Sequence, residues 1–253
     1  MRLIACVNVL IMAGLLAGCV TETNSRSGDR NEKEMLQSQV SLGVGYMRNG
    51  NYDRARENLE AALEIDSRSP EAHNYLGLLN QLEGDLETAD DHFTKAIRYN
   101  RNYAAARNNY GAFLYAQKRY EEAIEQLEVA ARDRTYRNQS QVYENLGISY
   151  LKLGDDRAAE EAFRQAIAIT RAQPRALLEL AVMEYEDGNY EQARSLYSQF
   201  KEVSRQSARS LWLGIRLARI FDNEDEEASL SMALKNIYPD SPQYKAYKRT
   251  TSE

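Results

Sequence analysis

The chain has 253 residues and a formal charge of −6, with 43% hydrophobic and 28% charged residues. That apolar content supports one elongated domain or two small ones. No basic stripe with interleaved aromatics occurs in this acidic chain, which excludes the usual footprint of a nucleic-acid binder. Four prolines and thirteen glycines suit helices joined by short turns. Seventeen tyrosines against five phenylalanines put many rings inside helix patterns, where the ring packs and the hydroxyl reaches water.

Met1–Cys19 reads as a targeting segment. Arg2 gives a positive start, and Leu3–Leu16 is an apolar run too short, with the wrong flanks, for a transmembrane helix. It ends in Leu16-Ala17-Gly18-Cys19. This resembles the bacterial lipobox, in which a small residue precedes a cysteine that is acylated and becomes the new N-terminus. The alternative is a plain secretory signal with a chance cysteine. On the lipobox reading, residues 1–18 leave, Cys6 with them, and Cys19 is the sole cysteine of the mature chain, so no internal disulfide is possible. The expected modification is a covalent N-acyl and S-diacylglycerol lipid on Cys19. At about 0.8 kcal/mol per buried CH2, three acyl chains hold a protein on a membrane nearly permanently. Val20 rather than Asp follows Cys19, which in such lipoproteins favours the outer membrane and its periplasmic face. Residues 19–34 are polar and are expected to be a flexible tether, with Thr21–Glu34 reaching roughly 20 Å as a coil.

From residue 35 onward a unit recurs. Leu76-Gly77 is followed by Ala89, Phe93 and Ala96. The same marks stand 34 residues earlier as Leu42-Gly43, Ala55, Leu59 and Ala62, and 34 residues later as Tyr110-Gly111, Ala123, Leu127 and Ala130. A further copy, two residues more distant, reads Leu146-Gly147, Ala159, Phe163 and Ala166. A fixed period of this size with this pattern signals the tetratricopeptide (TPR) helix–turn–helix, and so an all-α superhelical solenoid. The small Gly and first Ala are expected where the two axes of a unit come closest, with the larger Phe or Leu and the second Ala facing the neighbouring unit. One helix pair cannot bury its own apolar face, so units must stack.

About six units follow: residues 36–69, 70–103, 104–139, 140–173, 174–206 and 207–238. Pro70 and Pro174 open helices, where a missing N–H costs nothing. Internal turns fall at Asn49-Gly50-Asn51, Gly84-Asp85, Lys118-Arg119, Gly154-Asp155 and Gly188-Asn189. In the fifth unit Ala181 replaces the Gly, while Ala193 and Tyr197 keep the register. The sixth reads as degenerate: Leu213-Gly214 is present, but its second helix is expected out of register, with Ala228, Leu230 and Ala233 on the inner face. A divergent last repeat serves as a cap. Beyond Pro239 a short cap and a frayed end are expected up to Glu253.

Little in the chain carries chemistry. His73 and His92 are the only histidines, and neither their spacing nor the cysteines suit a metal site. No phosphate-binding loop or nucleophile elbow occurs. No catalytic residue, metal, cofactor or small-molecule substrate is therefore expected. Trp212, the single tryptophan, suits core or cap packing. The basic loop Arg132–Arg137 is either a solvated loop or a seat for an anionic partner, and the acidic run Asp222–Glu227 suits a helix N-terminus.

What remains is the inner groove, which positions 2, 5, 9 and 12 of each first helix line in TPR arrays. In the first unit these are Gln37, Val40, Val44 and Met47; in the second Glu71, Asn74, Leu78 and Gln81; in the third Ala105, Asn108, Ala112 and Tyr115; in the fourth Gln141, Glu144, Ile148 and Leu151. The first end is the most apolar. An exposed apolar groove marks a peptide-binding site. The candidate partner residues are thus Val40, Val44, Met47 and Leu78, with Asn74 and Asn108 to bond a partner's backbone amides. Alternatively Val40 and Val44 pack on the tether or cap the array. The ordered Lys and Arg set that clamps a C-terminal carboxylate is missing.

The lipobox, polar tether, six TPR-like units, and the endings Leu211-Trp212-Leu213-Gly214 and Tyr238-Pro239-Asp240-Ser241-Pro242 together resemble the type IV pilus biogenesis and stability lipoproteins called PilF or PilW. That resemblance implies a pilotin, an outer-membrane lipoprotein that brings secretin subunits to the outer membrane and promotes their assembly into the ring through which the pilus exits. It places the lipid on Cys19. Its rival is a TPR lipoprotein adaptor for another envelope machine, such as barrel assembly or control of cell-wall hydrolases.

Overall fold

The computed structural model describes residues 23–251, which form thirteen α-helices and, among these residues, no strand. Twelve of them make six antiparallel pairs. These are α1 (Thr23–Arg48) with α2 (Tyr52–Ile65), α3 (Pro70–Glu83) with α4 (Leu86–Tyr99), and α5 (Ala104–Ala116) with α6 (Tyr120–Ala131). Next come α7 (Gln139–Leu153) with α8 (Asp156–Ile169), α9 (Pro174–Glu186) with α10 (Tyr190–Val203), and α11 (Ala208–Ile220) with α12 (Glu224–Ile237). A last helix, α13 (Pro242–Thr251), packs on α11 and α12.

The turn chemistry explains the regular pairs. Between the two helices of a unit the chain passes through a left-handed residue, taken by Gly84 at φ 84° and Gly154 at φ 76°. The next residue caps the second helix: Asp85 accepts from the Thr88 amide at 3.2 Å, and Asp155 from the Ala158 amide at 3.0 Å. The third unit departs from this rule. Lys118 adopts φ 62° without being glycine. Arg119 follows it and supplies no capping oxygen; instead its guanidinium donates to Glu122 at 2.7 and 2.6 Å and to Asp90 at 2.8 Å.

The repeat marks have a more specific meaning than axis separation. The glycine of the repeat mark lies beneath the large residue of its own unit. A Cβ on Gly77 would stand 2.9 Å from the Phe93 ring, on Gly111 2.6 Å from Leu127, and on Gly147 2.4 Å from Phe163. Those large residues also reach the next unit, as expected: the Phe93 ring stacks on Tyr110 at 5.6 Å and meets Phe113 at 5.4 Å. The core is thus a run of linked clusters along the stack.

Two expectations are corrected. The segment read as a tether is helical from Thr23, so α1 is longer than any other helix. Its early turns hold no apolar stripe, but charges four apart, such as Arg30 and Glu34 at 3.7 Å, support a helix without one. The sixth unit, read as out of register, keeps it. Leu230 follows Gly214 by the same sixteen residues that separate Gly77 from Phe93, and its Cδ1 would lie 2.8 Å from a Gly214 Cβ. Leu230 and Ala233 are half-buried as read, whereas Ala228 is exposed and Leu234 is the buried residue. What is lost is the first Ala, replaced by Glu226, whose carboxylate reaches Lys201 at 3.0 Å.

Candidate protein-binding groove

Each first helix touches the next first helix, and each second helix touches its own and the following first helix. The six first helices therefore form one layer covered on one side by the second helices. The uncovered side is the groove.

At its first end Val40, Val44 and Met47 are half-buried on one face of α1. Met47 packs beside the cluster of Ala55, Leu59, Leu76 and Leu79, and Leu78 is half-buried against the cluster of Phe93 and Tyr110. Leu42 and Met35 on the same helix are 48% and 55% exposed. In later units the residues matching Leu42 are covered by the preceding unit: Leu76, Tyr110, Leu146 and Leu180 are buried.

The two asparagines behave differently from the valines. Asn74 and Asn108 are buried, and their carbonyl oxygens accept from neighbouring first helices, Asn109 Nδ2 to Asn74 at 3.0 Å and Asn145 Nδ2 to Asn108 at 3.0 Å. They form an amide ladder between units, which holds α3, α5 and α7 in register. Glu144 extends this polar seam. Burial pushes its carboxyl above the usual carboxylate range, and the nearby Arg175 and the Ala176 amide oppose that shift.

The last end is basic and aromatic but internally paired. Positions 2, 5, 9 and 12 of α11 are Arg209, Trp212, Arg216 and Arg219. Arg209 bonds Glu179, Arg216 bonds Glu186 at 2.8 Å, and Arg219 bonds Glu227 at 2.7 Å. Arg216 also lies over the Tyr185 ring, 4.2 Å from its centroid. Trp212 is half-buried, edge-on to Tyr247 of α13 at 6.4 Å, so it packs the cap as read.

The basic loop is a folded turn. Asp133 accepts from the Thr135 hydroxyl at 2.6 Å and amide at 2.9 Å, which hold its carboxyl below the usual range. Its arginines, Arg132, Arg134 and Arg137, are exposed. One constellation had no sequence signature: His73 on α3 and His92 on α4 face each other with their Nδ1 atoms 2.9 Å apart. Among the described residues no group of three or more His, Cys, Asp or Glu is placed to hold a metal. No described helix is long and apolar enough to cross a membrane. Cys19 lies outside the described residues.

A stack of helix pairs with an open inner layer defines a TPR solenoid. Tetratricopeptide-repeat family models match residues 45–84, 102–172 and 145–208, and none of them is enzymatic. The type IV pilus assembly protein PilF of Pseudomonas aeruginosa is 39% identical over 242 residues, covering 95% of this chain and 96% of PilF. A solved structure of that PilF superposes with a TM-score of 0.85 over 87% of this chain and 99% of its own. A crystal structure of PilW, described as a widely conserved type IV pilus biogenesis factor, superposes with a TM-score of 0.71 at 25% identity, over 84% of this chain and 97% of its own. The chain belongs to the PilF/PilW family of type IV pilus biogenesis TPR proteins.

Proposed function

We propose that the protein is a pilotin, lipidated on Cys19, that works at the periplasmic face of the outer membrane. It binds secretin subunits of the type IV pilus machinery, delivers them to that membrane and promotes their multimerisation. The observation that carries this reading is the near full-length likeness to PilF, joined to a groove end on α1 lined by the half-buried Val40, Val44 and Met47. The mechanism is non-catalytic. The lipid confines the protein to a surface, and a segment of the secretin seats along Val40, Val44, Met47 and Leu78. Confinement raises the local concentration of subunits, so insertion outruns aggregation. The amide ladder through Asn74 and Asn108 keeps the groove rigid, so little ordering is lost on binding.

The test is the amount and location of heat-resistant secretin multimers in fractionated membranes. The protein is present, absent, or altered by Cys19→Ser. Loss of the multimers, or their shift to the inner membrane, without the lipidated form supports the pilotin reading. Unchanged amount and place would sink it.

A further inference from the structure

We propose that His73 and His92 form an acid-released latch between the two helices of the second unit, closed while both imidazoles are neutral. The protons can be placed from the contacts. His73 Nε2 lies 3.2 Å from the Ser67 carbonyl oxygen, which only accepts, so that nitrogen carries the hydrogen. Neutral His73 then presents a lone pair at Nδ1. His92 must donate its Nδ1–H across the 2.9 Å gap. Ser67 sits in the loop between α2 and α3. The two bonds therefore tie α4 to α3 and α3 to the loop that leads from the first unit.

Acid attacks the bond between the rings, while the Ser67 carbonyl still accepts from His73 Nε2–H when that ring is charged. A proton on His73 Nδ1 would meet the His92 Nδ1–H head-on and break the pair. A proton on His92 Nε2 leaves the bond but creates a charge in a half-buried site. The groups facing the pair decide its cost. Lys95 and Arg98 on α4 and Arg56 on α2 oppose a positive charge, while Asp91 on α4 and Asp85 at its cap favour one. The Tyr99 ring, 5.5 Å from that of His73, adds packing. Burial is the larger cause for both residues and holds both below the usual histidine value, His92 at about 4.

The sign follows from linkage. A histidine whose folded value lies below its unfolded value of 6.5 contributes stability above pH 6.5 that is lost as pH falls. Between 6.5 and the folded value, the constant for opening rises about tenfold per pH unit for each histidine. In a stacked array the opening is local to the second unit. Leu78 lies in that unit and Met47 packs beside its Leu76 and Leu79, so acid would loosen the apolar groove end. This last consequence rests on the proposed groove; the latch does not.

These are the chain's only two histidines, so imidazole NMR resonances of the full chain report the pair without ambiguity. The latch predicts that neither ring titrates near 6.5 and that both titrate lower. It also predicts Nε2–H on His73 and Nδ1–H on His92 at pH 7. Hydrogen exchange across α3–α4, corrected for intrinsic rate, should accelerate between pH 6.5 and 4.5 while α9–α10 stays level. His92→Gln, whose amide donates without taking up a proton, should lower that acceleration by about tenfold per pH unit. Titration of either ring at about 6.5, or exchange across α3–α4 that tracks α9–α10 at every pH, would overturn the latch. Should His92→Gln fail to fold, the titration of the unaltered chain decides. Secretin capture is a separate readout: a latch that opens without changing capture stands, and the groove assignment falls.

Discussion

The two ends of the solenoid are built from the same unit and finished in opposite ways. The first unit packs its second helix completely, with Ala55, Leu59 and Ala62 all at 0% exposure. Among the described residues nothing covers Leu42 and Met35 on its first helix. The last unit does the reverse. On α12 only Leu234 is buried, while Met232 and Ile237 are 64% and 63% exposed. Its first helix is covered instead, by α13 through Trp212 and Tyr247. The groove follows the same division, apolar and open at the first end, and salt-bridged and aromatic at the last. A repeat array needs its ends closed to stay soluble. Here α13 caps one end, and at the other the described residues leave Leu42 and Met35 exposed.

Mutations can break this comparison. The largest expected effect is Leu59→Ala, a fully buried truncation costing about 2–5 kcal/mol, against about 1 kcal/mol for the half-buried Leu230→Ala. Urea midpoints of the two variants give the contrast, and equal losses would show that the sixth unit is packed as tightly as the first. Next is Gly147→Ala. Its Cβ would stand 2.4 Å from the Phe163 ring, and overpacking of this kind costs about 1–3 kcal/mol. A neutral result in thermal unfolding would mean that the ring swings aside freely. The smallest is Lys118→Gly. Relief of a left-handed non-glycine backbone should raise stability by about 0.5–1 kcal/mol and make the third unit's turn like that of the second.

The stack was legible because its rule is local. A small residue must lie under a large one sixteen residues on, and Gly77 with Phe93 states that rule in the sequence. The sixth unit was misread because Glu226 stands where an alanine was sought, although Leu230 and Ala233 still obeyed the spacing. The start of α1 was missed because Thr21–Glu34 has no apolar stripe, and i to i+4 charges are a weaker signal. Asn74 and Asn108 were placed on the right helices, but their partners Asn109 and Asn145 sit one position beyond those read as groove-lining. The histidine pair had no spacing to reveal it. Each lies within about a turn of the Gly77–Phe93 contact, and mapping the antiparallel pair around that contact could have found it. Val40, Val44 and Met47 stand half-buried on one face of α1, where the spacing put them.

The most direct test of a functional first end sets the two ends against each other. The affinity of purified secretin periplasmic segments would be measured for the unaltered protein, for Val44→Glu and for Arg216→Ala, with unfolding curves as controls. The account predicts that Val44→Glu weakens binding at least about tenfold, or about 1.4 kcal/mol, with little loss of stability. Arg216→Ala should bind as the unaltered protein does. Unchanged affinity in Val44→Glu, or a loss confined to Arg216→Ala, would contradict it and move the binding site to the capped end.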